Sequence, residues 1–144
     1  MKYLQDGDEL IKADRWGSIV PELAVTDLDA SVAFYTQMLG FQSETVRPGL
    51  VVLSHEDTPI QFVLEQLDPN DPPSSAELAA PFGRGLTLSV RVAEPQKIYE
   101  TLRAQHHPIL VPMQVAEYDE GDQAYTRSEF AIQDPDGYVL RFTD

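Results

Sequence analysis

The first half of the chain changes from the two-residue period of a strand to the longer period of a helix and back again. Residues 18–25 alternate loosely between apolar and polar positions and predict a half-buried strand. An N-cap at Thr26 or Asp27 and a stop at Gly40 bound a helical pattern. Three more strand-like runs follow, at residues 41–47, 50–55 and 59–66.

The second half of the chain repeats this order. Residues 86–92 alternate as a strand, and an acid followed by Pro95 opens a second helix, which His106 and its neighbours end. The two predicted helix starts, Asp27 and Glu94, lie 67 residues apart, so the chain carries an internal repeat. The three strands of this second unit are predicted at residues 109–117, 123–133 and 138–143.

The repeat predicts an α+β domain built from two βαβββ modules in pseudo-symmetric arrangement, whose curved sheets form a cup. The modules occupy about residues 18–66 and 86–143, and a proline-rich linker at 67–85 crosses the surface between them. A chain of 144 residues has the length of one domain, here 18–143, preceded by an N-terminal arm at 1–17.

The alternation also predicts which side of each strand faces the helices. Larger apolar residues, such as Ile19, Leu23 and Val25 on the first strand, should pack against the helix. The opposite positions should line the cup, and they carry charges of both signs. Such charges need ion-pair partners, water or a ligand, and convergent polar groups are typical of a small-molecule site. The candidate ligand-binding residues are Glu22, Glu65, Thr87, Ser89, Arg91 and Arg141.

Composition narrows the classes of function. With 24 acidic and 10 basic residues the net charge is −14, which would repel nucleic acid and would attract cationic ligands. The absence of cysteine excludes disulfides and thiolate metal sites. No apolar stretch is long enough to span a membrane, and the N-terminus lacks a signal-sequence pattern. We therefore expect a cytoplasmic protein with neither nucleic acid nor membrane as a partner.

Two segments resemble known motifs of the vicinal oxygen chelate superfamily, which includes glyoxalase I, extradiol dioxygenases and bleomycin resistance proteins. Residues 20–41 (VPELAVTDLDASVAFYTQMLGF) are similar to its opening strand and helix, and residues 130–142 (FAIQDPDGYVLRF) to its closing strand, turn and strand. The resemblance covers about residues 18–143. It implies the fold of two βαβββ modules predicted above.

Metal-dependent members of that superfamily hold one divalent ion through His, Gln or Glu on four strands. The resemblance places these positions at Val20, Glu65, Thr87 and Arg141, of which only Glu65 can be a ligand. We therefore expect neither a metal nor another cofactor, and no catalytic residue.

The sequence is most similar to the metal-free, bleomycin resistance type. This implies a homodimer with two clefts that sequesters a cationic antibiotic, such as a bleomycin-type glycopeptide. Glu22 and Glu65 would contact cationic or donor groups, Thr87 and Ser89 would donate or accept hydrogen bonds, and the two arginines would orient Glu65 or bind an anionic ligand group. Aromatic residues that could stack on a heterocycle are Trp16, Phe82, Tyr118 and Tyr125.

Two alternatives stay open on the sequence. The first is an enzyme of the same superfamily that acts on a small carbonyl or oxygenated substrate, for example with Glu65 or Glu22 as a general base near a guanidinium. The second is an interaction module without a small ligand, whose cup is filled by its own side chains or by a partner chain.

Overall fold

The fold repeats one unit twice, in the order that the sequence predicts. The computed structural model describes residues 17, 19–68, 70 and 78–144. Within these ranges the elements are β1 (Glu22–Val25), α1 (Leu28–Gln37), β2 (Gln42–Arg47), β3 (Leu50–His55), β4 (Thr58–Gln66), β5 (Thr87–Arg91), α2 (Pro95–Ala104), β6 (Ile109–Glu120), β7 (Gln123–Gln133) and β8 (Val139–Thr143).

The strands of each module form their own sheet. The orders are β1-β4-β3-β2 and β5-β8-β7-β6, so both sheets place the strand before the helix beside the last strand of the module. That pair is parallel in each sheet, and the remaining pairs are antiparallel. The predicted α+β fold with two βαβββ modules is therefore confirmed.

The helix ends follow the predicted capping residues. The Asp27 carboxylate accepts the Ala30 N–H at 3.0 Å and caps α1. At the end of α2, His106 has a φ of +57°, and the His107 N–H donates to the Leu102 carbonyl at 2.9 Å. This bond closes the helix as a Schellman motif, so the predicted stop at the two histidines is confirmed.

One apolar core lies on the helix-facing sides of both sheets. Alternate strand residues point towards α1 and α2 and are buried, as the two-residue period predicts. Helix α1 contributes Phe34 and Tyr35, which contact each other edge to face with centroids 5.8 Å apart. The sheets contribute Leu23, Val25, Phe62, Leu64, Val90, Phe130, Leu140 and Phe142 among others.

Two of the predictions about packing are wrong. Strand β1 begins at Glu22, not at residue 18, because its pairing with β4 starts there, and Ile19 is consequently 90% exposed. The linker does not only cross the surface: Phe82 is buried and packs edge to face against Tyr138. Residues 1–16 of the predicted arm lie outside the described residues, as do residues 69 and 71–77 of the linker.

Candidate functional site

Each sheet has one face without a helix. On the first sheet this face, the first open face, carries Glu22 opposite Val63 and Ala24 opposite Glu65. Both glutamates are exposed, and no hydrogen bond or ion pair within the described residues engages their side chains. The sequence prediction therefore places these two carboxylates on the correct side of the sheet.

The corresponding face of the second sheet, the second open face, carries the other four predicted ligand-binding residues. Ser89 lies opposite Arg141, and Thr87 and Arg91 lie two residues to either side of Ser89 on β5. All four are exposed. The structure thus places all six predicted residues at the helix-free faces; their role in binding a ligand stays a prediction.

The two sets of side chains lie on different sheets. Glu22 and Glu65 belong to the first sheet, whereas Arg91 and Arg141 belong to the second. Across the described ranges no ion pair joins an arginine of the second open face to either glutamate. The expectation that Arg91 or Arg141 orients Glu65 stays a prediction.

The modules instead meet through the turn of residues 134–137 and the first helix. The Asp136 carboxylate accepts the Thr26 hydroxyl at 2.6 Å and the Thr26 N–H at 3.2 Å, and the Ser31 hydroxyl lies 3.5 Å away. The Tyr35 hydroxyl donates to Asp134 at 2.8 Å. We call these five residues, Thr26, Ser31, Tyr35, Asp134 and Asp136, the module junction. The D-P-D-G motif therefore has a structural role in joining the two halves.

Burial shifts the titration of the module junction. Asp134 and Asp136 are both 4% exposed. Burial raises the pKa of the Asp134 carboxyl above its ordinary value, although hydrogen bonds from the Tyr35 hydroxyl and from two backbone N–H groups oppose this effect. Burial and the charge of Asp134 raise the pKa of the Tyr35 phenol well above its ordinary value.

The raised pKa of Asp134 predicts a pH dependence of stability. Because the folded protein binds this proton more tightly than the unfolded chain, the stabilising contribution is complete below the ordinary value of 3.8 and is lost as pH rises through the folded-state value. We expect the free energy of unfolding of the wild type, relative to that of Asp134→Asn, to increase from pH 7 to pH 4. Urea unfolding at four pH values measures this difference; a constant or decreasing difference would contradict the assignment.

A cluster of polar aromatic residues extends the second open face along β6 and β7. Tyr118 lies opposite Tyr125, and their rings stack with centroids 5.6 Å apart. The Tyr118 hydroxyl donates to Glu129 at 2.6 Å. Of the other aromatic residues named as stacking candidates, Phe82 belongs to the core and Trp16 lies outside the described residues. Tyr125 lies an even number of residues from Ala131, the partner of Arg141 on β7, and therefore points to the same face as Arg141.

A groove of about 510 Å³ lies at one end of the first sheet. It is lined by residues of β2, β3 and β4, with Gln61 donating to the Glu44 carboxylate at 3.0 Å. None of the six predicted residues lines it. The groove nevertheless belongs to the first open face, because Gln61 lies on the same side of β4 as Glu65, and it extends that face towards Glu44.

The sheet register shows how the two modules correspond at the positions where the superfamily binds metal. Ser89 lies opposite Arg141, whereas its counterpart 67 residues earlier, Glu22, lies opposite Val63. Arg141 therefore corresponds to Val63, which is 1% exposed, and not to Glu65. The one potential ligand thus does not occupy the position that matches Arg141.

The donor set at these positions does not fit a divalent metal. Val20 offers no donor atom, Thr87 only a hydroxyl, and the Arg141 guanidinium is a cation without a lone pair for coordination. Within the part of the chain that the structure describes, no group of three or more His, Asp or Glu side chains is close enough to hold an ion. Glu65 alone cannot complete a site of three or four ligands.

Two βαβββ modules, each with a helix on one face of its own sheet, define the fold class of this domain. The sequence profile of the Glyoxalase/Bleomycin resistance protein/Dioxygenase superfamily matches residues 17–142. This chain belongs to that superfamily. No functionally curated protein matches it.

Solved structures share the fold at low sequence identity. A protein from the mobile metagenome of V. Pseudocholerae is 18% identical, with a TM-score of 0.65 over 89% of this chain and 93% of that one. TioX from Micromonospora sp. ML1 is 19% identical, with a TM-score of 0.64 over 89% and 98%. A superfamily member from Alicyclobacillus acidocaldarius is 18% identical, with a TM-score of 0.57 over 90% and 91%. These similarities establish the fold alone.

Neither helix of the described chain could cross a bilayer. Each has 10 residues, whereas a membrane-spanning helix needs about 20.

Proposed function

We propose that this protein binds a small molecule without converting it, as a metal-free member of the superfamily of the bleomycin resistance type. The observation that carries the proposal is the exposure of all six polar side chains on the two open faces. Exposed charged groups aligned on a sheet can bind a ligand, whereas their burial in ion pairs would have indicated a structural role.

The open faces differ in charge, which favours a ligand with a cationic group. The first carries Glu22 and Glu65, and Glu44 extends it towards the sheet edge, as its contact with Gln61 shows. A carboxylate pair of this kind attracts ammonium or guanidinium groups, and the net charge of −14 accelerates their capture. The proposed ligand is therefore a cationic antibiotic or a related molecule.

A homodimer would complete the cleft. Each module contributes the helix-free face of one sheet, and the module junction connects the modules through α1 and the turn of residues 134–137. The first open face carries more carboxylates than guanidinium groups, namely Glu22, Glu44 and Glu65 with Arg47, and the second carries more guanidinium groups than carboxylates, namely Arg91, Arg127 and Arg141 with Glu120 and Glu129. Their complementary charges favour a symmetric pair in which the first face of one copy lies across from the second face of the other, giving two equal clefts.

The geometry within one chain gives less support to the enzyme alternative. A general base needs its partner groups within hydrogen-bond reach of the same substrate atom. Among the described residues no ion pair joins Glu22 or Glu65 to a guanidinium. Binding without catalysis requires no such convergence.

The proposal predicts a ligand-dependent gain in thermal stability. For protein freed of metal with a chelator, copper-free or copper-loaded bleomycin at one hundred times the dissociation constant should add about 2.7 kcal/mol. This corresponds to a rise in Tm of about 5 °C or more for a domain of this size. Glu65→Lys should reduce the rise strongly while the unliganded Tm stays near that of the wild type. Sedimentation of the same samples should give the mass of a dimer.

Glu117→Lys is the matched control. Glu117 is an exposed residue of β6 on the side of the second sheet that faces away from the second open face, and its replacement changes the net charge by the same amount. It should leave the rise in Tm intact. Equal responses of the two variants would contradict the cleft assignment. Parallel samples with Ni²⁺, Zn²⁺ or Mn²⁺ test whether the protein binds no metal. A clear rise in Tm with one of these ions and none with bleomycin would overturn the proposal. A monomer that binds bleomycin as well as a dimer would refute the shared cleft.

A further inference from the structure

The groove at the end of the first sheet has the size of a small-molecule pocket. Its volume of about 510 Å³ lies within the range of about 300–1,000 Å³ that is usual for such pockets. Strands β2, β3 and β4 supply most of its described lining residues. Side chains that project from a paired sheet are held more precisely than those of a loop, so a ligand would meet a preformed surface.

A row of three polar side chains lines this groove. The register places Gln42 of β2 opposite Ser54 of β3, and Ser54 opposite Gln61 of β4. Paired residues of neighbouring antiparallel strands project to the same face, with their Cβ atoms about 5 Å apart. A molecule bound across the row would therefore meet an amide, a hydroxyl and a second amide in succession.

Hydrogen bonds orient one end of the row and leave the rest unengaged. The Gln61 Oε1 atom accepts the Gly17 N–H at 2.9 Å, and the Gln61 Nε2 atom donates to one carboxylate oxygen of Glu44 at 3.0 Å. The other carboxylate oxygen of Glu44 has no hydrogen bond to a described residue, and neither have the side chains of Gln42 and Ser54. Gln61 is thus a positioning residue, which holds Glu44 beside free donors and acceptors.

The charged groups of the groove favour a ligand with an ammonium group. Glu44 and Glu56 are exposed there, and the described lining residues include neither lysine nor arginine. The third titratable group, His55, accepts the Asp57 N–H through Nδ1 at 3.2 Å. A ring nitrogen that accepts a hydrogen bond carries no proton, so the imidazole is neutral in this arrangement. Carboxylates are therefore the charged groups that a ligand meets in the groove.

The polar row restricts which ammonium compounds fit. An apolar amine would cover Gln42 and Ser54 and would displace their water without replacing its hydrogen bonds, which costs affinity. A neutral sugar could bond to the row but would gain no charge-assisted bond from Glu44. A molecule with both an ammonium group and several hydroxyl groups engages both parts of the groove.

We propose that this groove is an amino sugar subsite, in which the ammonium group of the ligand binds Glu44 and its hydroxyl groups bond to Gln42 and Ser54. The inference rests on the proposed function, because the groove belongs to the first open face, and it names the chemical class of one part of the ligand. Gln61 and Glu65 lie four residues apart on one face of β4, which is about 13 Å at the usual rise of a strand. A ligand that fills the groove and also reaches Glu65 would carry a second cationic group at about that distance.

The probe that tests the subsite is D-glucosamine hydrochloride, titrated against the full chain and followed through the backbone amide NMR signals. The measurement is made in about 0.15 M salt, where the Debye length of about 8 Å screens the net negative charge. Saturable shifts should appear at Gln42, Ser54 and Gln61, with a Kd of about 1–10 mM for a ligand of this size.

Two variants test the contacts. Glu44→Gln should weaken binding about tenfold, because it removes the charge while its amide oxygen can still accept the hydrogen bond from Gln61. Ser54→Ala should weaken binding about threefold through the loss of one neutral hydrogen bond. The amide spectrum of each variant also shows whether it is folded.

Matched controls separate specific from general effects. Cyclohexylamine keeps the ammonium group but lacks the hydroxyl groups, and D-glucose keeps the hydroxyl groups but lacks the ammonium group. Each should bind about tenfold more weakly than glucosamine. Glu117→Gln removes the same charge from an exposed position of β6 on the second sheet, and should leave the Kd for glucosamine unchanged.

The subsite is overturned by an absence of saturable shifts in the groove, by equal binding of cyclohexylamine, or by equal weakening through Glu44→Gln and Glu117→Gln. The bleomycin experiment distinguishes this failure from failure of the proposed function. If Glu65→Lys abolishes the bleomycin response while glucosamine leaves the groove signals unchanged, the proposed function stands and the subsite falls. If glucosamine binds through Glu44 while bleomycin gives no rise in Tm, the subsite stands and a ligand of the bleomycin type is refuted.

Discussion

Replacing Gly137 with alanine should lower the free energy of unfolding by about 3–5 kcal/mol. Gly137 has a φ of +97°, which side chains rarely adopt, and an added Cβ would lie 2.4 Å from the Cβ and 2.6 Å from the Cα of Pro81. Pro81 cannot move away from the turn freely, because the N–H of the adjacent Phe82 donates a hydrogen bond to the Asp136 carbonyl at 2.8 Å. Urea unfolding followed by circular dichroism measures the loss.

Gly85→Ala separates the two causes of this loss. Gly85 has a φ of +83°, but an added Cβ there would meet no atom within 4 Å. Backbone strain alone should destabilise this variant by about 1–2 kcal/mol. Equal losses in the two variants would show that the close approach of Pro81 to the turn contributes nothing.

Replacing Asp136 with alanine should destabilise the protein by about 3–5 kcal/mol. The change removes the acceptor for the Thr26 hydroxyl and N–H groups and leaves Ser31, which is fully buried, without its nearest carboxylate. Ser31 is a buried donor and would pay the desolvation penalty, whereas the exposed Thr26 would lose two hydrogen bonds to a charged acceptor. Because these bonds connect α1 of the first module with the turn of the second, the loss acts on the junction of the two halves.

Asp136→Asn should have a smaller effect, because its amide oxygen can still accept one of these hydrogen bonds. Tyr35→Phe removes only the bond to Asp134 and should destabilise by about 1–2 kcal/mol. Asp122→Ala, at an exposed turn, should stay within about 0.5 kcal/mol of the wild type. If Asp136→Ala were as stable as this surface variant, the module junction would not hold the halves together.

Local patterns predicted the strands and helices well, because an element that buries one side has apolar residues at the period of its backbone. The capping residue Asp27 and the stop at His106 fall where the structure has them, and β7 has the predicted bounds. The first residue of β1 could not be predicted from local composition, because it is set by the point at which pairing with β4 begins. Phe82 was misplaced for a similar reason: proline-rich surroundings indicate a linker, but not which of its side chains reaches the core.

By itself, the sequence determined the two-module fold and the side of each strand that faces away from the helices. Both follow from periods of about 2 and 3.6 residues, which depend only on local backbone geometry. The tertiary structure alone decided that the glutamates and arginines lie on different sheets, that the D-P-D-G turn joins the modules, and that Tyr118 stacks on Tyr125. These relations depend on how distant segments pair and pack, and no local pattern of polar and apolar residues encodes the distance between two sheets.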